Sequence, residues 1–206
     1  MQPAPVVRPV GFDPWSEVLD AVESVEGWLA RSEARLLAEL AATIDASHCV
    51  VEIGNFRGRS TVALGFGAQR GRGARVYSID PHADFTGARG GRFGSEDQAQ
   101  LYANLARTGV GAQVHVVGLG SVETSRAWSS ANVALLFIDG DHRYASVRAD
   151  FEAWRPHLAP RAQALFDDID FPDVERAVRE LVDAGVLRER GRTGKLAWCE
   201  LVERVV

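Results

Sequence analysis

Two rhythms of apolar residues alternate along this chain. Short unbroken runs such as Cys49-Val50-Val51 and Val133-Ala-Leu-Leu-Phe-Ile138 have the pattern of strands buried on both faces. Between them, apolar positions recur every three or four residues, as in Leu36, Leu37, Leu40, Ala41 and Ile44, or Val147, Phe151 and Trp154, the stripe of an amphipathic helix. The pattern predicts helices over Trp15–Val25 and Ser32–Ile44, with Trp15 and Trp28 as packing residues. It then predicts a strand from Cys49, a helix Ser60–Gln69, a strand Arg75–Asp80, a helix Ser95–Thr108 and a strand Gln113–Val117. A short helix Ser121–Trp128 follows, then a strand Val133–Asp139, a helix Tyr144–His157 ended by Pro156 and Pro160, a strand Ala162–Asp168 and a helix Pro172–Ala184. Val186–Arg190 and Lys195–Arg204 read as a closing strand pair around a Gly191–Gly194 turn. Strands alternating with helices predict one α/β domain with a doubly wound, mostly parallel sheet. Met1–Pro14, with four prolines and no periodicity, reads as an extended arm before a domain over residues 15–206. Such an arm is suited to draping over a neighbouring subunit, which would make the protein a homo-oligomer.

The first strand carries the first chemical signal. It runs into Glu52-Ile53-Gly54-Asn-Phe-Arg-Gly58-Arg-Ser60, a strand, a glycine turn and a helix start. In open α/β sheets that turn, at the carboxyl end of a strand, is where ligands bind. Glycines there let a ligand approach the backbone. Asp80 ends the second strand, where an acid accepts hydrogen bonds from a ribose. The dinucleotide fingerprint G-x-G-x-x-G is absent, which argues against a nicotinamide oxidoreductase. A nucleoside with a cationic part, such as S-adenosylmethionine (SAM), suits a turn preceded by a carboxylate. Pro81–Gly94, with four glycines and two arginines, reads as a mobile loop beside these strand ends, of the kind that acts as a lid.

Composition narrows the partners. The 206 residues are 46% hydrophobic with a formal net charge of -5, which fits one domain with a full core and argues against nucleic acid. All basic residues but Lys195 are arginine, which reads as compositional bias. Cys49 and Cys199 lie in apolar runs outside any metal-binding spacing, and free buried thiols suit a reducing cytoplasm. No apolar stretch is long enough to span a membrane, and the beginning of the chain lacks the layout of a signal peptide.

Four predicted strands end in acids at one edge: Glu52, Asp80, Asp139 and the pair Asp167-Asp168. Converging carboxylates repel unless a cation joins them. Asp139, Asp167 and Asp168 offer hard oxygen ligands from two neighbouring strand ends, a set suited to Mg²⁺ or another divalent cation. His142 sits three residues past Asp139 and can take a proton near neutral pH. Asp141 reads as a cap for the following helix, His48, His115 and His157 as structural, and His82 as a neighbour of cofactor or substrate.

The stretches Val51–Thr61, Ile79-Asp80-Pro81 and Phe137-Ile-Asp139-Gly-Asp-His142-Arg-Tyr144 resemble the class I SAM-dependent methyltransferases. Within them the chain is similar to the small metal-dependent O-methyltransferases of macrolide sugars and related natural products, and to catechol-type enzymes, from about Gly27 onward. The resemblance implies a Rossmann-like, seven-stranded sheet with an antiparallel last strand. It implies a cofactor site of Glu52, Gly54, Asn55, Gly58, Ser60, Asp80, Pro81, Gly118, Ser121 and Asp139. Asp139, Asp167 and Asp168 would hold the metal and His142 would be the general base. The implied reaction is methylation of a hydroxyl on a small molecule: a sugar, a natural product or a catechol-like acceptor. Two departures, Ala159-Pro160-Arg161 in place of a glycine pair and Ile169 in place of an aromatic, are expected to alter the loop near the acceptor. The alternatives are a metal-independent methyltransferase with His142 as sole base and a SAM-binding protein without catalysis.

Overall fold

A computed structural model describes residues 13–87, 90–130 and 132–202. The predicted arm falls almost wholly on residues outside this set. In chain order the elements are α1 (Ser16–Glu23), α2 (Arg31–Thr43), β1 (Cys49–Ile53), α3 (Arg59–Arg70), β2 (Arg75–Ile79), β3 (Phe85–Thr86), β4 (Arg92–Phe93), α4 (Ser95–Thr108) and β5 (Val114–Val117). Then come α5 (Ser121–Ala127), β6 (Val133–Ile138), α6 (Tyr144–Trp154), a 3-10 turn (Arg155–His157), β7 (Leu158–Phe166), α7 (Pro172–Asp183), β8 (Leu187–Thr193) and β9 (Leu196–Leu201). Seven strands form one sheet in the order β5-β2-β1-β6-β7-β9-β8. β9 pairs antiparallel with both β7 and β8, while the other pairings in the sheet are parallel. The Rossmann-like reading, with an antiparallel last strand, matches this sheet.

Both faces of the sheet are covered, as continuous apolar strands require. Alternate residues of one strand serve opposite faces. Leu135 and Phe137 pack with Leu37 and Leu64 under the N-terminal helices, while Leu136 and Ile138 pack with Phe151, Trp154 and Leu181 under α6 and α7. The connection direction reverses between β1 and β6, so a crevice opens above their ends.

Three sequence expectations are corrected, and one loop carries structure that the pattern did not predict. The closing hairpin turns at Gly194-Lys195; Gly191 lies inside β8, where the register shifts between Glu189 and Gly191. Its glycine therefore serves a bulge, a use of strand glycine that a sequence pattern does not separate from a turn. Ala159-Pro160-Arg161 belongs to β7, at the end of the strand remote from Asp167, so this departure does not touch the acceptor side. Arg161 there has φ +59°, a conformation for which glycine is better suited. Residues 81–94 hold the small β3–β4 pair. Trp28 is 68% exposed; it stacks on Phe56 at a centroid distance of 5.1 Å in place of entering the core.

Candidate active site

The strand register sets the site. Ile53 aligns with both Ile79 and Ile138, and Ile138 with Phe166. The next residue of each strand, Gly54, Asp80, Asp139 and Asp167, therefore lies along one edge. Backbone bonds extend the ladder through them: Gly54 N–H to Ile79 O at 2.9 Å, Asp139 N–H to Ile53 O at 2.8 Å and Asp167 N–H to Ile138 O at 3.0 Å. Gly54 has φ +83°, and a Cβ there would run into the backbone carbonyl of Asp139. A side chain at 54 would thus push the two central strand ends apart.

A cavity of about 890 Å³ opens above this edge. Of the expected cofactor residues, Gly54, Asn55, Ser60, Asp80, Pro81, Ser121 and Asp139 line it. Glu52, Gly58 and Gly118 are not among the lining residues. Glu52 is fully buried beneath the floor; its Oε2 accepts from Thr61 Oγ1 at 2.6 Å and Ser78 Oγ at 2.7 Å, and its Oε1 has no partner. Burial pushes its carboxyl up to about 7 against the pull of hydrogen bonds from Ser60, Thr61 and Ser78. Gly58, at φ +89°, precedes α3 with its Cα against Leu101 of α4, a packing role. Asp80 accepts from the backbone N–H of Asn55 at 3.1 Å and of His82 at 2.9 Å, which fixes its carboxylate at the cavity wall. His82 also lines the cavity, with a buried Nε2 lacking a partner.

At the other end of the cavity, donor atoms of Asp139, His142 and Asp168 all lie within 4.8 Å of one another. His142 Nε2 is 3.2 Å from Asp168 Oδ2 and 3.6 Å from Asp139 Oδ1, and its ring packs on Phe171. That nitrogen is buried and has no hydrogen-bond partner. Asp168 adopts φ +53°, a left-handed conformation that aspartate tolerates. Asp167 is not one of this trio, although its carboxyl lies against that of Asp139. Its Oδ1 accepts the Asp168 N–H at 2.8 Å and its Oδ2 accepts from Lys195 Nζ at 2.7 Å. Lys195 Nζ also donates to Asp168 Oδ1 at 2.7 Å. Burial drives the Asp139 carboxyl up to about 8, opposed by Lys195 and by a hydrogen bond with Asp167, and reinforced by Asp168 and Glu52. Burial, then Asp139, drives Asp167 to about 8 as well, with Lys195 opposing. Burial disfavours the charged Lys195, yet Asp167 and Asp139 outweigh it and its pKa rises. Asp141 bonds Ser146 Oγ in the first turn of α6 at 2.7 Å, while the Tyr144 N–H goes to Asp173 at 3.1 Å. Asp141 Oδ1 also accepts the Arg143 N–H at 3.4 Å, so the residue steadies the start of α6 through its N-cap, as expected.

Sequence reasoning missed Lys195, whose only signal was being the sole lysine. It also missed the aromatic mouth of the cavity, where Trp28, Phe56, Phe85 and Phe93 from three separate segments meet. Asp150 of α6, another lining residue, was not singled out; burial raises its carboxyl to about 6 against a hydrogen bond from Ser121.

Comparison with known proteins bears on the family and the fold. The model of a methyltransferase domain family matches residues 51–169, more than half of the chain. The fold is similar to an O-methyltransferase from Bacillus cereus solved with SAH, at 16% identity and TM-score 0.67, covering 94% of each chain. It is also similar to the O-methyltransferase TomG from Streptomyces achromogenes, solved with SAM, at 17% identity and TM-score 0.63, covering 93% of this chain and 91% of that one. A protein from Corynebacterium glutamicum superposes with TM-score 0.69 at 14% identity, covering 94% of each chain. Among curated proteins, the uncharacterized protein y4gI of Sinorhizobium fredii is 50% identical over 40 residues, which are 19% of this chain and 4% of that one. The chain thus matches only a small part of that relative's length.

Proposed function

The chain belongs to the methyltransferase domain family whose model spans residues 51–169, and from that premise we propose that it is a SAM-dependent O-methyltransferase of small-molecule hydroxyls. One observation carries the reading: the ribose-type acid Asp80 and the Asp139–His142–Asp168 cluster open onto the same cavity. Adenosine at the Asp80 end would direct the sulfonium methyl towards the cluster. The acceptor would be a small molecule such as a sugar, a natural product or a catechol-like compound, since the cavity is enclosed by aromatic residues at its mouth.

The chemistry assigned to the residues is short. The acceptor hydroxyl sits against His142 Nε2, the buried atom without a partner. His142 takes the proton as the oxygen attacks the methyl carbon. The carbon–sulfur bond breaks, its electrons stay on sulfur, and neutral S-adenosylhomocysteine leaves. Asp168 stabilises the imidazolium formed. A divalent cation fits the donor set, because hard carboxylate oxygens of Asp139 and Asp168 lie within 4.8 Å of each other beside His142. Asp139 and Asp168 would hold it, and once bound it would lower the pKa of a coordinated hydroxyl. Asp167, expected as a third ligand, is engaged by Lys195. Those lysine contacts favour a second reading, in which His142 works without a divalent ion.

The test is transfer of labelled methyl from SAM to a panel of hydroxylated acceptors. H142Q should lower kcat by about 10²–10⁴ while leaving SAM affinity unchanged. Loss of turnover in EDTA, restored by Mg²⁺, supports the cation; full turnover in EDTA selects the metal-free reading. Absence of SAM binding by calorimetry would reject the function. The buried free thiols Cys49 and Cys199, whose pKa values burial raises to about 12, suit a reducing cytoplasm. No helix among the described residues is long and apolar enough to cross a membrane.

A further inference from the structure

Lys195 is the only lysine in the chain, and each of its polar groups is fixed. Its N–H donates to Glu33 Oε1 at 2.7 Å, and its carbonyl accepts the Ile169 N–H at 2.9 Å. Glu33 is itself 2% exposed, and its other oxygen accepts the Ala30 N–H at the head of α2. Gly194, at φ +56°, packs so closely that a Cβ would collide with the Glu33 carboxylate. Helix α2 therefore pins the β8–β9 turn, and the turn aims the ammonium at Asp167 and Asp168. A compact point charge suits two oxygens from consecutive residues better than a planar guanidinium does.

The consequence lies in the carboxylates. Both oxygens of Asp167 are engaged within the protein, one by the Asp168 N–H and one by Lys195. Asp168 is divided, with Oδ1 on Lys195 and Oδ2 towards His142. We propose that Lys195 is a positioning residue: a tethered cation that withdraws Asp167 from any divalent-ion site and fixes the second oxygen of Asp168 against His142. Its importance for turnover rests on the methyltransferase reading above; its effect on ion binding does not.

Calorimetric titration with Mn²⁺ tests this on wild type, K195M, K195R and K195M/D167N. K195M frees a third carboxylate and removes a positive charge, so it should bind Mn²⁺ at least about tenfold more tightly than wild type. K195R keeps the charge but not the geometry, so its gain should be smaller than that of K195M. K195M/D167N should lose the gain. Equal Mn²⁺ affinity in wild type and K195M overturns the proposal, as does a gain that survives D167N. Should K195M fail to fold, the ranking of single variants decides. D167N should cost less Mn²⁺ affinity than D139N or D168N, and an equal or larger cost overturns the proposal. SAM titrated into the same samples separates the two readings. A wild type without SAM affinity defeats the methyltransferase assignment, whereas intact SAM binding with unchanged ion affinities defeats the lysine proposal alone.

Discussion

Glu52 and Gly54 are two residues apart and do different work. Gly54 brings the backbone of β1 against that of β6 at Asp139. G54A combines an unfavourable φ with a backbone collision, so it should destabilise the fold by more than about 1 kcal/mol. It should also weaken SAM binding, read by calorimetry on samples shown folded by circular dichroism. Glu52 is enclosed, and its carboxyl titrates near 7 in place of the ordinary 4.5. The unfolded chain therefore releases this proton at lower pH than the folded one. The stability tied to the protonated form is complete below pH 4.5 and is lost as pH rises through about 7. E52Q, which cannot ionise, should show a flatter melting temperature from pH 5 to 8. Its stability relative to wild type should gain at the alkaline end, by at most roughly 3 kcal/mol.

At the scale of elements, the β3–β4 pair and the aromatic mouth form the part of the site most separable from the cofactor end. Phe93 contacts Trp28 and Phe85 as well as Phe56, with centroids 5.4–6.3 Å apart. F93A should raise the KM for acceptor several-fold and leave SAM affinity unchanged, measured by initial rates and calorimetry; equal weakening of both would show that the mouth also shapes the cofactor end. The parallel strands were legible in the sequence because strands buried on both faces are unbroken apolar runs, and their closing acids marked the edge they share. The expected helix over residues 95–108 coincides with α4 because its glycine stops are local signals. The mouth was not legible, since its rings come from the α1–α2 connection, the turn after β1 and the hairpin, which only the folded chain joins. Lys195 was hidden for the same reason. It meets Asp167 and Asp168 across 28 and 27 residues, through an antiparallel strand whose place in the sheet no local pattern specifies.

Across the whole molecule, Glu33 links helix α2 to the acid-bearing strand edge through one turn. E33A would leave the half-buried Lys195 N–H without its acceptor, and should cost about 1 kcal/mol. Thermal denaturation reads that loss. Turnover of the folded fraction should fall too, although Glu33 does not line the cavity. The solitary lysine offers a practical handle as well. While its ammonium is clasped by two carboxylates it is a poor nucleophile, so acylating labels should spare it in the native state and attack it once the β8–β9 turn lets go. Mass spectrometry of a single peptide would then report, without any mutation, how often this turn opens.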